Sequence, residues 1–242
     1  MFTMRQAITW ANGILSERSI ESARRDAEVL LLFVTGLERV QLYTNGEQEL
    51  SADQCARYEA LIARRAEGEP VAYLVGKKEF YALDFAVGPE VLIPRPETEI
   101  LVEKAAAWAP GRATVLEIGV GSGAVIVALA VERPDLQLIG LDISLNALRT
   151  ARDNARRHGV AGRVRLFVGD ALSAVQARFP LILMNPPYIA QGDAHSLSPD
   201  VARYEPGIAL FGGNDGLDVI RKVLSAAAGN LLPKGLLLLE CG

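Results

Sequence analysis

Thr114-Val115-Leu116-Glu117-Ile118-Gly119-Val120-Gly121-Ser122-Gly123-Ala124 decides how this chain folds. Its first five residues form an apolar run that reads as a buried strand. Three glycines follow at alternate positions, and Val125 to Glu132 then reads as a helix. Strand, Gly-rich turn and helix together open a βαβ unit. Glycines let such a turn tighten and let a ligand come close to the backbone. The run also fits the pattern G-x-G-x-x-G/A. For the glycines alone the other reading is an ordinary βα turn, which an acid at the expected distance downstream disfavours.

The chain downstream adds to it. From Thr114 onward strands and helices alternate, which predicts a doubly wound, mainly parallel α/β sheet, Rossmann-like in its opening unit. Ligands bind such sheets beyond the carboxyl ends of the strands. Asp142 ends the strand Gln137 to Leu141, at about the 20-residue spacing expected of a ribose-binding carboxylate. Asp170, with Ala171, follows the strand Val164 to Val168; it is placed to meet an adenine amine, or to cap a helix. Asn185-Pro186-Pro187-Tyr188 follows the apolar run Leu181 to Met184. Consecutive prolines fix φ twice, remove two donors and push the preceding residues out of α geometry. The Asn185 amide oxygen beside a backbone carbonyl makes a pair of acceptors. That pair suits an NH₂ on an sp² carbon, either an amide or the exocyclic amine of a base. Tyr188 adds a flat wall with a polar tip.

The turn alone leaves two cofactors open, a nicotinamide dinucleotide or S-adenosylmethionine, since both present a ribose diol to an acid. Glu117 separates them. A carboxylate two residues before the first glycine would repel a pyrophosphate, whereas it would hold the ammonium of S-adenosylmethionine directly or through water.

The 242 residues allow one large domain, or one medium and one small. Half are hydrophobic, enough for a sizeable core. A net charge of −4 argues against a chain whose main affinity is for a phosphate backbone. The pairs Arg24-Arg25, Arg64-Arg65 and Arg156-Arg157 read as solvated helix faces. Cys55 and Cys241 make neither a metal spacing nor a disulfide framework, and fit a reducing cytoplasm. His158 and His195 have no ligand spacing, so no metal is expected. No secretory signal or membrane span is read; the apolar stretch Ala113 to Val131 is explained by its strand, turn and helix.

The first seventy residues read as helices over Met4 to Leu15, Ser22 to Val34 with Ser22 as cap, and Ser51 to Arg65. Glu79 to Val87 reads as a hairpin turning near Ala82-Leu83-Asp84. Arg95, bracketed by Pro94 and Pro96, stands as a held charge at the entrance of a helix that runs to Trp108. The last strand is read over Gly235 to Glu240. Its uncovered side leads us to expect that the native chain continues beyond this sequence.

Four segments together resemble the HemK/PrmC family: Ile93-Pro94-Arg95-Pro96-Glu97-Thr98-Glu99, the turn from Glu117 to Gly123, Asn185-Pro186-Pro187-Tyr188, and Glu205-Pro206 with Ala209 to Leu217. The resemblance covers essentially the whole chain. It implies a class I methyltransferase that uses S-adenosylmethionine to methylate N5 of the glutamine in the Gly-Gly-Gln motif of peptide-chain release factors. The Asn-Pro-Pro-Tyr motif alone is shared with adenine-N6 methyltransferases of DNA or RNA, which keeps that activity as the alternative. The implied organisation is a helical bundle over residues 1–75 that docks the release factor, a linking β-hairpin over 76–92, and the methyltransferase domain over 93–242, lacking a final strand pair. The implied cofactor residues are Glu117, Gly119, Val120, Gly121, Ser122, Gly123, Asp142, Asp170, Ala171 and Asn185. The implied substrate residues are Arg95, Asn185, Pro186, Pro187 and Tyr188, with Asn185, Pro186 and Tyr188 at the reacting amide. Two positions depart from the family: Glu117 stands where Asp is more usual, and Met184 where a small polar residue is usual.

Overall fold

The computed structural model describes residues 2–173 and 175–241. The chain divides into two compact units, one running to Gly76 and the other starting at Lys77.

The first unit is helical: α1 (Met4–Glu17), α2 (Ala23–Thr35), α3 (Arg39–Thr44), α4 (Ala52–Ala66) and α5 (Val71–Val75). Thr3 and Ser51 open α1 and α4 with reciprocal capping boxes to Gln6 and Gln54. These satisfy backbone donors that a helix start leaves orphaned. Ser22 departs from its expected role. Its hydroxyl donates to Asp26 at 2.9 Å and makes no cap bond. Asp26 is committed elsewhere too, since Arg65 Nε donates to it at 2.8 Å and both side chains are about nine-tenths buried. Arg65 is therefore not on a solvated face. Its guanidinium also donates to the Gly68 and Glu69 carbonyls, which spreads the charge over several acceptors. Leu15, Leu30, Leu31, Tyr58 and Ile62 fill the core of this unit.

The second unit begins with a hairpin, β1 (Lys77–Phe80) and β2 (Leu83–Ala86). Phe80 pairs with Leu83, so the turn is Tyr81-Ala82, earlier in the chain than expected. Both turn residues have positive φ, 52° and 55°. Two-residue hairpin loops favour that twist, and it is ordinarily met by Asn or Gly. Phe80 and Phe85 are buried in the core of this second unit, so the hairpin is part of it.

A 3₁₀ turn at Pro96–Thr98 leads into α6 (Glu99–Trp108). There follow β3 (Thr114–Ile118), α7 (Ala124–Glu132), β4 (Gln137–Asp142), α8 (Leu145–Arg157), β5 (Val164–Val168), β6 (Phe179–Met184), α9 (Pro199–Tyr204), α10 (Gly207–Leu210), α11 (Asp218–Asn230) and β7 (Leu231–Leu239). The sheet order is β5-β4-β3-β6-β7, and every pair in it is parallel. Both faces are covered. Val115, Leu181 and Leu183 point into one core with α7, while Leu116, Ile182 and Met184 point into the other with Val223 and Ala227 of α11. This two-residue alternation between two dry faces is why β3 and β6 read as nearly continuous apolar runs. β7 starts earlier than expected. A register shift against β6 near Phe179 and Leu181 accommodates Pro233, which has no N–H to give the ladder.

The chain lays down β3, β4 and β5 in one direction, then crosses back to place β6 on the other side of β3. The strand order therefore reverses between β3 and β6. Ile118 pairs with Met184 there, which brings the Gly-rich turn and Asn185 side by side beyond the carboxyl ends.

Candidate active site

The crevice at this switch point holds a cavity of about 220 Å³. Glu117, Gly119, Val120, Gly121, Ser122, Asp142, Asp170, Ala171, Asn185, Pro187 and Arg95 line it, joined by Glu90, Thr98 and residues of the Glu205-Pro206 segment such as Pro206 and Ala209. Three residues singled out in the sequence are not among its lining. Gly123 starts α7 behind the turn with φ of 82°, Pro186 is buried, and Tyr188 stands outside the cavity, 41% exposed.

The turn is held from below. Gly119 and Val120 donate their N–H groups to the Leu141 carbonyl, and Gly121 N–H donates to Asp142 Oδ2 at 2.9 Å. The other Asp142 oxygen accepts from Ser144 N–H at 2.8 Å. Two backbone bonds thus fix the rotamer of Asp142 at the end of β4, and a carboxylate has lone pairs left for a ligand. Gly123 is required by packing as well as φ: a Cβ there would lie 3.0 Å from Cα and Cβ of Ala151.

Asn154 completes the support and was not singled out from the sequence. It is fully buried on the inner face of α8. Its Oδ1 accepts from Ala86 N–H at 2.8 Å, and its Nδ2 donates to the carbonyls of Ala86, at 3.0 Å, and Ser122, at 2.8 Å. One turn further, at the C-terminal cap of α8, His158 Nε2 bonds the Asp84 carbonyl at 2.9 Å. Four helical residues rise about 6 Å and two strand residues about 6.6 Å. The two side chains therefore serve as a ladder for the outer edge of β2, while Asn154 also ties down the glycine turn. The available signal was a polar residue at a position whose helical neighbours, Ala147, Ala151 and Ala155, are apolar.

Glu117 is 4% exposed, and one of its carboxylate oxygens, Oε2, is buried with no hydrogen-bond partner. Desolvation raises its pKa well above the ordinary value and the nearby Asp142 charge adds to this, while the backbone N–H of Ile126 in the first turn of α7 opposes them. A carboxylate held this way gains most from a cation that reaches Oε2. With Glu90 and Asp142 also on the wall, and Asp170 there paired to Lys222, the cavity carries the wrong sign for a pyrophosphate. Arg95, the cation among these residues, is engaged with Glu205.

Asn185 lines the cavity beside the glycine turn. Both Nδ2 donors are used, toward Thr98 Oγ1 and Glu240 Oε1, each at 3.1 Å. Its Oδ1 accepts no bond from the described residues, so the carbonyl end of the amide is the end available to a ligand. The loop after α10 stiffens this region. Gly212 N–H donates to the Ile189 carbonyl and Ile189 N–H to the Leu210 carbonyl. A Cβ on Gly212 would stand 2.5 Å from the Pro187 carbonyl oxygen, and one on Gly216 would stand 2.2 Å from that of Tyr188. The Gly-Gly-Asn-Asp-Gly segment is therefore a backbone cradle for the Pro187-Tyr188 turn. A second clamp joins the other two motifs: Arg95 Nη2 meets Glu205 Oε1 at 2.5 Å, and Glu205 Oε2 accepts from Ile93 N–H at 3.1 Å. Arg95, expected to face substrate, lines the cavity with its guanidinium already paired to a buried acid.

Among the described residues no group of three or more His, Cys, Asp or Glu side chains is arranged to hold a metal. No helix among them is long and apolar enough to cross a membrane.

Two family models match the chain, one described as PrmC N-terminal domain over residues 6–76 and one as methyltransferase small domain over residues 96–200. Three similar proteins carry the name release factor glutamine methyltransferase. That of Geobacter sulfurreducens is 46% identical over 100% of this chain and 85% of its own length. That of Koribacter versatilis is 41% identical over 99% and 86%. That of Escherichia coli is 40% identical over 96% and 84%.

Proposed function

We propose, from the premise that this chain belongs to the family of release factor glutamine methyltransferases, that it moves a methyl group from S-adenosylmethionine to the side-chain nitrogen of the glutamine in a release factor's Gly-Gly-Gln motif. The observation that carries the reading is the buried, unpartnered Glu117 oxygen in an acidic cavity beside an Asn185 whose carbonyl end is left to accept.

S-adenosylmethionine, when bound, supplies an activated methyl on a sulfonium. Glu117 holds its ammonium, Asp142 takes the ribose hydroxyls, and Asp170 with Ala171 borders the adenine. The backbone from Gly119 to Gly123 gives the close approach. An amide nitrogen is a poor nucleophile because its lone pair is delocalised. Asn185 Oδ1 and the Pro186 carbonyl accept its two N–H groups, fix its direction and favour lone-pair density on nitrogen. Orientation of this kind is worth on the order of 7–11 kcal/mol at best. Pro187 shapes the wall, and Tyr188, exposed at the rim, packs on the incoming amide plane. Arg95 holds the substrate side of the cavity in shape through Glu205.

The helical unit up to Gly76 is assigned to docking of the release factor. A protein that modifies release factors works where translation terminates, in the cytoplasm. Nucleic acid is not the substrate of this reading, and the net charge of −4 agrees with that. The test is parallel incubation with S-adenosylmethionine and either a release factor or adenine-containing DNA and RNA, followed by mass spectrometry. One added methyl on the Gly-Gly-Gln glutamine is expected. Methylated adenine with an unmodified release factor would replace this reading by its rival.

A further inference from the structure

We infer that Glu240, acting with Thr98, is a positioning residue that sets which end of the Asn185 amide faces the substrate. The inference rests on the glutamine-methylation reading above.

Glu240 follows the last residue of β7, and its N–H donates to the Met184 carbonyl at 3.0 Å. The ladder between β6 and β7 thus sets Glu240 beside Asn185, just beyond two adjacent carboxyl ends. Three side chains close a ring there. Asn185 Nδ2 donates to Thr98 Oγ1 and to Glu240 Oε1, and Thr98 Oγ1 donates to the same Glu240 oxygen, all at 3.1 Å. Thr98 is 5% exposed, and the remaining Glu240 oxygen is buried without a partner.

The chemistry of the three groups makes the ring directional. An Asn side chain carries a donor end and an acceptor end of nearly the same shape. A threonine hydroxyl gives or takes a hydrogen bond, so Thr98 alone tolerates either end. An ionised carboxylate only accepts. Were Asn185 flipped, its oxygen would face the Glu240 carboxylate, and two acceptors would meet without a proton between them. Glu240 therefore selects the state in which Nδ2 points inward and Oδ1 is left for the substrate N–H. This gives Thr98, in the Arg95-to-Glu99 segment, and the carboxylate at the end of β7 a shared purpose.

The test is a double-mutant cycle on methyl transfer to a release factor. Glu240→Met keeps the side-chain length and removes the acceptor. It is expected to lower kcat by about tenfold, the scale of one net hydrogen bond, with S-adenosylmethionine affinity held within about threefold. Glu240→Gln, which keeps one acceptor oxygen, should recover part of the loss. Thr98→Val should give a smaller loss, because it leaves the acceptor-only partner in place. In an Asn185→Ala background, Glu240→Met should have no further effect. An unchanged kcat in Glu240→Met, or the same fold loss in both backgrounds, would overturn the inference. Should the unmodified chain fail to methylate a release factor, the functional reading falls, and the inference is decided by ¹⁵N NMR of the Asn185 side-chain amide. Its protons should lose exchange protection in Glu240→Met; retained protection would refute the positioning role.

Discussion

Replacing Asn154 by alanine tests the support beneath the site at a residue that no ligand touches. The asparagine is 0% exposed and makes three bonds, all to backbone, at 2.8, 3.0 and 2.8 Å. Alanine removes all three. The Ala86 N–H becomes a buried donor without a partner, which costs roughly 1–3 kcal/mol, and each of the two carbonyls loses a bond worth about 1 kcal/mol net. The expected loss is about 3–5 kcal/mol, a large part of the roughly 5–15 kcal/mol that holds a typical domain folded. The two tryptophans allow the right unit to be read, since Trp10 lies in the first and Trp108 in the second. Urea unfolding followed by Trp108 fluorescence in a Trp10→Phe background should show the lowered midpoint. S-adenosylmethionine binding should weaken as well, because Ser122 loses its tether. A destabilisation under about 1 kcal/mol would refute the claim that these bonds hold β2 and the glycine turn to α8.

Three further outcomes follow from the same geometry. Glu117 is protonated more readily in the folded chain than in an unfolded one. The folded state therefore binds more protons, and stability falls as pH rises from the ordinary carboxylate value through the raised one. A bound ammonium favours the carboxylate, so cofactor binding should release a proton and tighten with pH across that window; calorimetry in buffers of different ionisation heat would show this, and Glu117→Gln should abolish it. Gly216→Ala drives a methyl to 2.2 Å from the Tyr188 carbonyl oxygen at a φ of 79°. It should cut methyl transfer by at least roughly tenfold while S-adenosylmethionine affinity, measured by titration, changes little, as a strain of about 1–3 kcal/mol there would impose. Asn185→Ala should leave cofactor affinity within about tenfold and lower turnover by roughly 10²-fold or more; single-turnover rates equal to those of the unmodified chain would remove its orienting role.

The parallel sheet was legible because strands and helices alternate from Thr114 onward and the central strands are apolar runs, with Gly119, Asp142, Asp170 and Asn185 following successive strands. That Glu117 and Asn185 meet at one crevice was legible for the same reason. What holds them was not. Thr98 and Glu240 are 142 residues apart and Asn154 reaches back 68 residues to Ala86, so their roles exist only once the sheet order is known. Arg65 and Asp26 show the opposite error: a dibasic pair reads as solvated because sequence spacing gives no sign of a buried carboxylate 39 residues away. The hairpin turn was misplaced because Tyr81 and Ala82 carry positive φ without the Gly or Asn that announces such a turn.

The central claim is tested most directly by following labelled methyl from S-adenosylmethionine into two purified release factors that differ only in their Gly-Gly-Gln glutamine, one native and one carrying alanine there. Label is expected in the first and none in the second. Equal labelling of both, or label in neither while the cofactor binds, would contradict it.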